Sequence, residues 1–208
     1  MAKNNSKRRE AIAYHEAGHA VMSIVVRQAF RYVTIVSSED SLGHVQHTDW
    51  GENFQPDIEM NSRIQRQIEN SVLTLLAGRV AEKRLTGRWN HVGASYDLHQ
   101  AVKLAGYVWG DDTVLPSYMS FMHARAQSLV ANERNWVAIQ AVATALLVQP
   151  KIGSRKVRRI VAGARQQLWE ASMKEMDGDR LPQLLADATV QRSAGGIANS
   201  GGQLAEGP

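Results

Sequence analysis

The chain has 208 residues, 44% of them apolar and 21% charged, which excludes a disordered polymer and suits one domain, or one domain with a small helical annex. It contains no cysteine, so disulfide frameworks and thiolate metal sites are excluded, and any metal must be held by His, Asp or Glu. The formal charge is +4, Met1 to Arg9 is basic without a signal-peptide core, and no apolar run nears the roughly 18 to 20 residues of a membrane span, so a soluble, cytoplasmic protein without a membrane span is expected.

Along the chain, Ile12, His15, His19, Met22 and Val26 recur at helical spacing and predict a helix over 7–27, with Gly18 tolerated inside it. Phe30 to Val36 is β-branched and aromatic, Ser37 to Gly43 carries turn residues, and His44 to Thr48 returns as a partner strand, so a hairpin is predicted. Trp50 to Ile58 reads as a loop. A long helix follows over Asn61 to Leu85, stopped by Gly87, and after a loop over Arg88 to Ser95 a third helix is capped by Ser95. Its expected core stripe is Leu98, Val102 and Ala105, up to a break near Gly110.

Asp111 to Ser117 is a further loop. Tyr118 to Leu147 and Ser154 to Glu175 then read as helical stretches separated by Pro150 and Gly153, which makes the second half wholly helical. Residues 1–182 are expected to form one domain, with the chemistry in 8–110 and a helical half over 111–182, and 183–208 form a disordered tail. The basic run containing Arg155, Lys156, Arg158 and Arg159 reads as the solvated face of a helix, and nucleic acid is not an expected partner.

The chemistry sits in Tyr14-His15-Glu16-Ala17-Gly18-His19-Ala20, a His-Glu-x-x-His pattern inside the first helix. Residues four apart share one helix face, so both imidazoles can reach one tetrahedral zinc ion. Glu16 lies about 100° round the helix from His15 and flanks the ion rather than ligating it. Zinc lowers the pKa of its water to about 7, and a carboxylate so placed can accept the water's proton and later give it to the leaving amine. Two histidines leave the ion short of a protein ligand, and the residue types alone leave every carboxylate and remaining histidine open for that place.

Ala13 to Val21 resembles the zinc helix of the FtsH-type peptidases, the proteolytic partners of membrane AAA+ ATPases. Three more segments are similar in the same order: Tyr32 to Val36 with Leu42-Gly43, then Leu76-Ala77-Gly78-Arg79-Val80-Ala81-Glu82, then Gly93-Ala94-Ser95-Tyr96-Asp97-Leu98. The resemblance spans about residues 8 to 165 and weakens after Ala105. It implies Asp97 as the third zinc ligand beside His15 and His19, and places Glu82 close to the metal, where a carboxylate can orient a ligand imidazole. His44, His47, His91, His99 and His123 match no ligand position.

The implied fold is mainly α (α+β), a zincin-like zinc helix with a small β-hairpin or sheet followed by a helical bundle. The implied activity is zinc-dependent hydrolysis of flexible or unfolded polypeptides, aligned along the edge of the hairpin over Val33 to His47. The 208 residues contain no phosphate-binding loop, so no ATPase of its own is expected, and a separate ATPase or further copies of the chain are the partners the resemblance implies. The rival reading is a zinc-binding, peptidase-like scaffold with little turnover. Glu16 argues against it, because a scaffold has no use for a base beside its metal.

Overall fold

A computed structural model describes residues 2–37, 43–48, 51, 54–90, 95–111 and 113–179. Two compact units divide it, residues 1–165 and 166–208. The first helix, α1 (Ala2–Val25), buries His15, His19 and Met22 of the expected stripe together with Ala13, Ala17, Ala20 and Val21, while Ile12 is half-buried and Val26 lies beyond its end. It ends in a Schellman motif: Gln28 N donates to Ser23 O at 2.8 Å and Arg27 N to Ile24 O at 3.3 Å. Arg27 adopts φ 59°, the left-handed conformation that glycine usually supplies at such an end. The next residue fastens the helix end to its neighbour, since the Gln28 amide donates to Ser71 Oγ and accepts from Thr74 Oγ1, both at 3.0 Å.

Strand β1 (Phe30–Thr34) is the centre of an antiparallel sheet of order β2-β1-β3, formed with β2 (His44–His47) and β3 (Lys151–Gly153). Val33 pairs with Val45 on one side and Ile152 on the other, and Val33 and Ile152 are fully buried. The expected hairpin is therefore present, with its turn residues 38–42 outside the described residues. A wholly helical second half is not: residues 151–153 add a third strand, and Ile35 N continues the pairing to Pro150 O at 2.8 Å.

Helix α2 (Ser62–Thr86) begins at Asn61, whose side chain accepts from Arg63 N and Ile64 N, and ends at Gly87, φ 75°, whose N–H donates to Lys83 O. It buries Ile64, Ile68, Val72, Leu76 and Val80. Helix α1 packs mainly against α2 and α5, and a Cβ on Gly18 would stand 2.7 Å from Ala77 O and 2.8 Å from Ala81 Cβ. Gly18 is thus what lets the two backbones approach.

Helix α3 (Ser95–Gly106) corrects the expected stripe. Ala101 and Ala105 face the core, while Leu98 and Val102 are 36% and 38% exposed. The long stretch expected over 118–147 is two helices, α4 (Leu115–Ala131) and α5 (Glu133–Val148), broken where Asn132 turns extended at ψ 127°. Helix α6 (Ser154–Asp179) follows directly on β3, and the expected tail over 183–208 lies outside the described residues. Large side chains such as Ile68, Leu76, Ile139 and Leu146 are fully buried, each contributing about 1.5–3 kcal/mol from the water it leaves. Among the described residues no helix is long and apolar enough to cross a membrane.

Candidate metal centre

One turn of α1 carries His15, Glu16 and His19, all buried although polar, and what they meet comes from two other helices. Asp97, in the first turn of α3, brings Oδ2 to 2.9 Å from His15 Nε2 and 3.2 Å from His19 Nε2. The three ligand atoms lie within 4.8 Å of one another, which makes this a group able to hold a metal ion.

The far nitrogens of both rings are engaged by α2. His15 Nδ1 lies 3.0 Å from Glu82 Oε2, and His19 Nδ1 lies 2.7 Å from Thr74 O. A carbonyl and a carboxylate accept, so each Nδ1 donates, and in the neutral ring each Nε2 is left with its lone pair turned toward the shared centre. Glu82 is steadied in turn, because Asn90 Nδ2 donates to its Oε1 at 2.9 Å. Such anchoring fixes ring orientation and tautomer before any ion arrives.

Gly78 forms the floor of the site. A Cβ there would collide with His19 Nε2, stand 2.5 Å from His19 Cε1 and stand 2.8 Å from His15 Nε2. The space that a single methyl group would fill is thus kept open against both donor nitrogens. Two imidazole nitrogens, one carboxylate oxygen and this clearance fit a borderline-soft divalent cation such as zinc.

Electrostatics agree. Burial by itself would lower the His15 pKa, but its hydrogen bonds to Asp97 and Glu82 push it up to about 10. His19 also moves up, burial being outweighed by the charge and hydrogen bond of Asp97. Burial would raise Asp97, yet the charge of His19 and the bonds from both rings hold it well below the usual carboxylate range. A strongly anionic oxygen thus faces two nitrogens across a gap bridged by protons, where a cation can take the protons' place.

Glu16 stands apart from this network. It is buried, and its Oε2 has no hydrogen-bond partner. Burial pushes its carboxyl up, against the pull of His19 and His15. It also borders the sheet, for a Cβ on Gly43 would stand 2.9 Å from Glu16 Cγ and 2.8 Å from Thr34 O.

The structure therefore brings His15, Glu16, His19, Glu82 and Asp97 together from three helices. Of the other described histidines, His44 meets the Tyr32 hydroxyl at 3.3 Å, His123 packs on Trp89 with ring centroids 5.1 Å apart, His99 is exposed, and His47 lies near enough to His19 that burial and the charge of that ring lower its pKa; His91 lies outside the described residues. Sequence reasoning gave no part to Thr74, Asn90 or Gly78. A glycine inside a helix costs about 1 kcal/mol relative to alanine and is a signal that something needs the space; the Thr74 carbonyl and Asn90 leave no such mark.

Residues 2–110 match the model of Peptidase family M41, and the chain belongs to that family. It is similar to the ATP-dependent zinc metalloprotease FtsH of Haemophilus influenzae, at 36% identity over 102 residues that make up 48% of this chain and 15% of that protein. The FtsH of Rickettsia felis is 34% identical over 105 residues, 49% of this chain and 15% of that one. The FtsH of Opitutus terrae is 31% identical over 183 residues, covering 73% of this chain and 28% of its own length. The chain thus spans between 15% and 28% of the length of these curated relatives.

Proposed function

We propose that the chain is a zinc-dependent endopeptidase in which His15, His19 and Asp97 hold the metal, Glu16 is the catalytic base and Glu82 orients His15. The observation that carries this reading is the convergence of His15 Nε2, His19 Nε2 and Asp97 Oδ2 beside a buried carboxylate with an unpartnered oxygen. Zinc, when bound, supplies Lewis acidity toward water and the scissile carbonyl. Glu16 accepts a proton as the water oxygen bonds to the peptide carbon, and returns it to the amine nitrogen as the C–N bond breaks. The two imidazoles stay where Glu82 and Thr74 O hold them.

The substrate is a flexible or unfolded polypeptide. Among the described residues β2 pairs only with β1, so its other edge is available to an extended chain through main-chain hydrogen bonds, which place few demands on sequence. These 208 residues hold no phosphate loop, so work to unfold a stable substrate is supplied from outside them. The test is cleavage of casein by the wild-type chain, by the chain with chelator, and by Glu16→Gln, with zinc content measured on each sample. Glu16→Gln is expected to keep its zinc and lose cleavage by at least about a hundredfold; turnover within tenfold of wild type removes the base from Glu16.

A further inference from the structure

On α2, Arg79 and Lys83 each follow by one residue a group that faces the metal site, Gly78 and Glu82. They therefore lie about 100° further round the helix and face elsewhere. There, between the end of α2 and α4, is a cleft of about 370 Å³, lined by Val80, Lys83, Arg84 and the following Trp89 from α2 and its end, and by Gln127, Val130 and the exposed Ala131 from α4.

Lys83 and Arg84 line the cleft, and Arg79 stands beside it. Arg79 and Lys83 stand over the Trp89 ring at 4.9 and 4.8 Å from its centroid, and Arg84 stands over Trp136 at 4.2 Å. The ion pairs among the described residues all belong to His15 and His19, so none of these three cations is paired with a described carboxylate. Arg79 Nε is buried with no hydrogen-bond partner. His123, packed on the same ring, has its pKa lowered by burial and by the charges of Arg79 and Lys83. Arg84 is already held, since Nη1 donates to Val130 O at 2.7 Å and the guanidinium rests on Trp136; its remaining N–H groups cost little further ordering to use.

We propose that this cleft binds a polypeptide carboxylate set beside an apolar side chain, the side chain against Ala131 and the edge of Val80 and the carboxylate at Lys83 and Arg84. A volume near the lower end of the roughly 300–1,000 Å³ of ligand sites suits one apolar side chain with its neighbouring acid. A simple phosphate would leave the apolar wall unused. A nucleotide base would need the face of Trp89 that Arg79 and Lys83 cover. The site does not depend on the metal reading, and a polypeptide held there is docked on a different side of α2 from the metal-facing groups.

The experiment uses the full chain with Glu16→Gln to prevent cleavage and chelator to keep carboxylates from binding a metal. The probes are a short glycine-serine peptide ending in leucine with a free carboxylate, the same peptide amidated, an amidated peptide with an internal glutamate-leucine pair, and inorganic phosphate. Binding is read by amide chemical shifts. The free acid is expected to bind at least about tenfold more tightly than its amide, as charge-assisted bonds require, with shifts centred on Lys83 to Trp89 and Gln127 to Ala131. Binding of the internal pair assigns the site to side-chain carboxylates as well, and its failure assigns it to chain termini. Lys83→Gln should weaken binding about tenfold, and Ala131→Trp, at an exposed lining position, should block the cleft while thermal unfolding stays unchanged. Equal affinity for acid and amide, phosphate binding as tightly as the peptide, no shift at millimolar peptide, or wild-type binding by both variants would overturn the proposal.

Discussion

Replacing Gly78 with alanine adds one methyl group, and two opposed effects decide the result. In a helix interior alanine is preferred to glycine by about 1 kcal/mol, so the change would stabilise α2 wherever space allows. At Gly78 the new Cβ would lie 2.5 Å from His19 Cε1 and 2.8 Å from His15 Nε2. Comfortable carbon contacts begin near about 3.5 Å, so the rings or the helices must yield by roughly 1 Å. Overpacking of this kind costs about 1–3 kcal/mol, which outweighs the propensity gain. The rings cannot yield freely either, because each Nδ1 is tied, one to Glu82 and one to Thr74 O. Gly78→Ala is therefore expected to lower the melting temperature and to weaken zinc binding by at least about tenfold, comparable to losing a group that orients a ligand. Gly163→Ala is the control: it lies on α6 with nothing within 4 Å of its added methyl and should be neutral or stabilising by up to about 1 kcal/mol. Thermal melts and chelator-dye competition on both variants make the comparison. A Gly78→Ala protein with a raised melting temperature and wild-type zinc affinity would refute the reasoning.

Glu82→Ala removes the acceptor of His15 Nδ1 and leaves that donor buried; zinc affinity or activity is expected to fall about 10- to 100-fold, and an unchanged value in zinc competition would deny Glu82 a part in orienting His15. Arg27→Gly relieves the left-handed conformation of a side-chain-bearing residue and should stabilise the fold by up to about 1 kcal/mol in urea unfolding. A loss of stability there would show that the arginine side chain contributes more than its backbone costs.

Much of this was legible in the residues. The register of Ile12, His15, His19 and Met22 sets α1 and puts both imidazoles on one face, and Asn61 and Gly87 mark the ends of α2 by their own capping chemistry. Strand β3 was not legible. Three residues between two helices carry no period, and Lys151, Ile152 and Gly153 become a strand only because Thr34, Val33 and Tyr32, far back in the chain, offer an edge. The break at Asn132 lacks the glycine or proline that announces one. In α3 the larger apolar residues misled, because the core there accepts the small Ala101 and Ala105 and leaves Leu98 and Val102 at the surface. At the site, the pairing of Glu82 with His15 and of Thr74 O with His19 depends on how closely α2 approaches α1, and the Gly18 and Gly78 contacts that allow it are visible only once the helices are packed.

The proposed function requires one zinc ion held by groups from two separate helices, α1 and α3. A crystal structure of the zinc-loaded chain, with anomalous data collected at the zinc edge, tests it most directly. The account expects a single anomalous peak bonded to His15 Nε2, His19 Nε2 and an Asp97 carboxylate oxygen at about 2.0–2.2 Å, with Glu16 beside the ion but not bonded to it. A zinc ligated by Glu82, Glu16 or another histidine in place of Asp97 would contradict it.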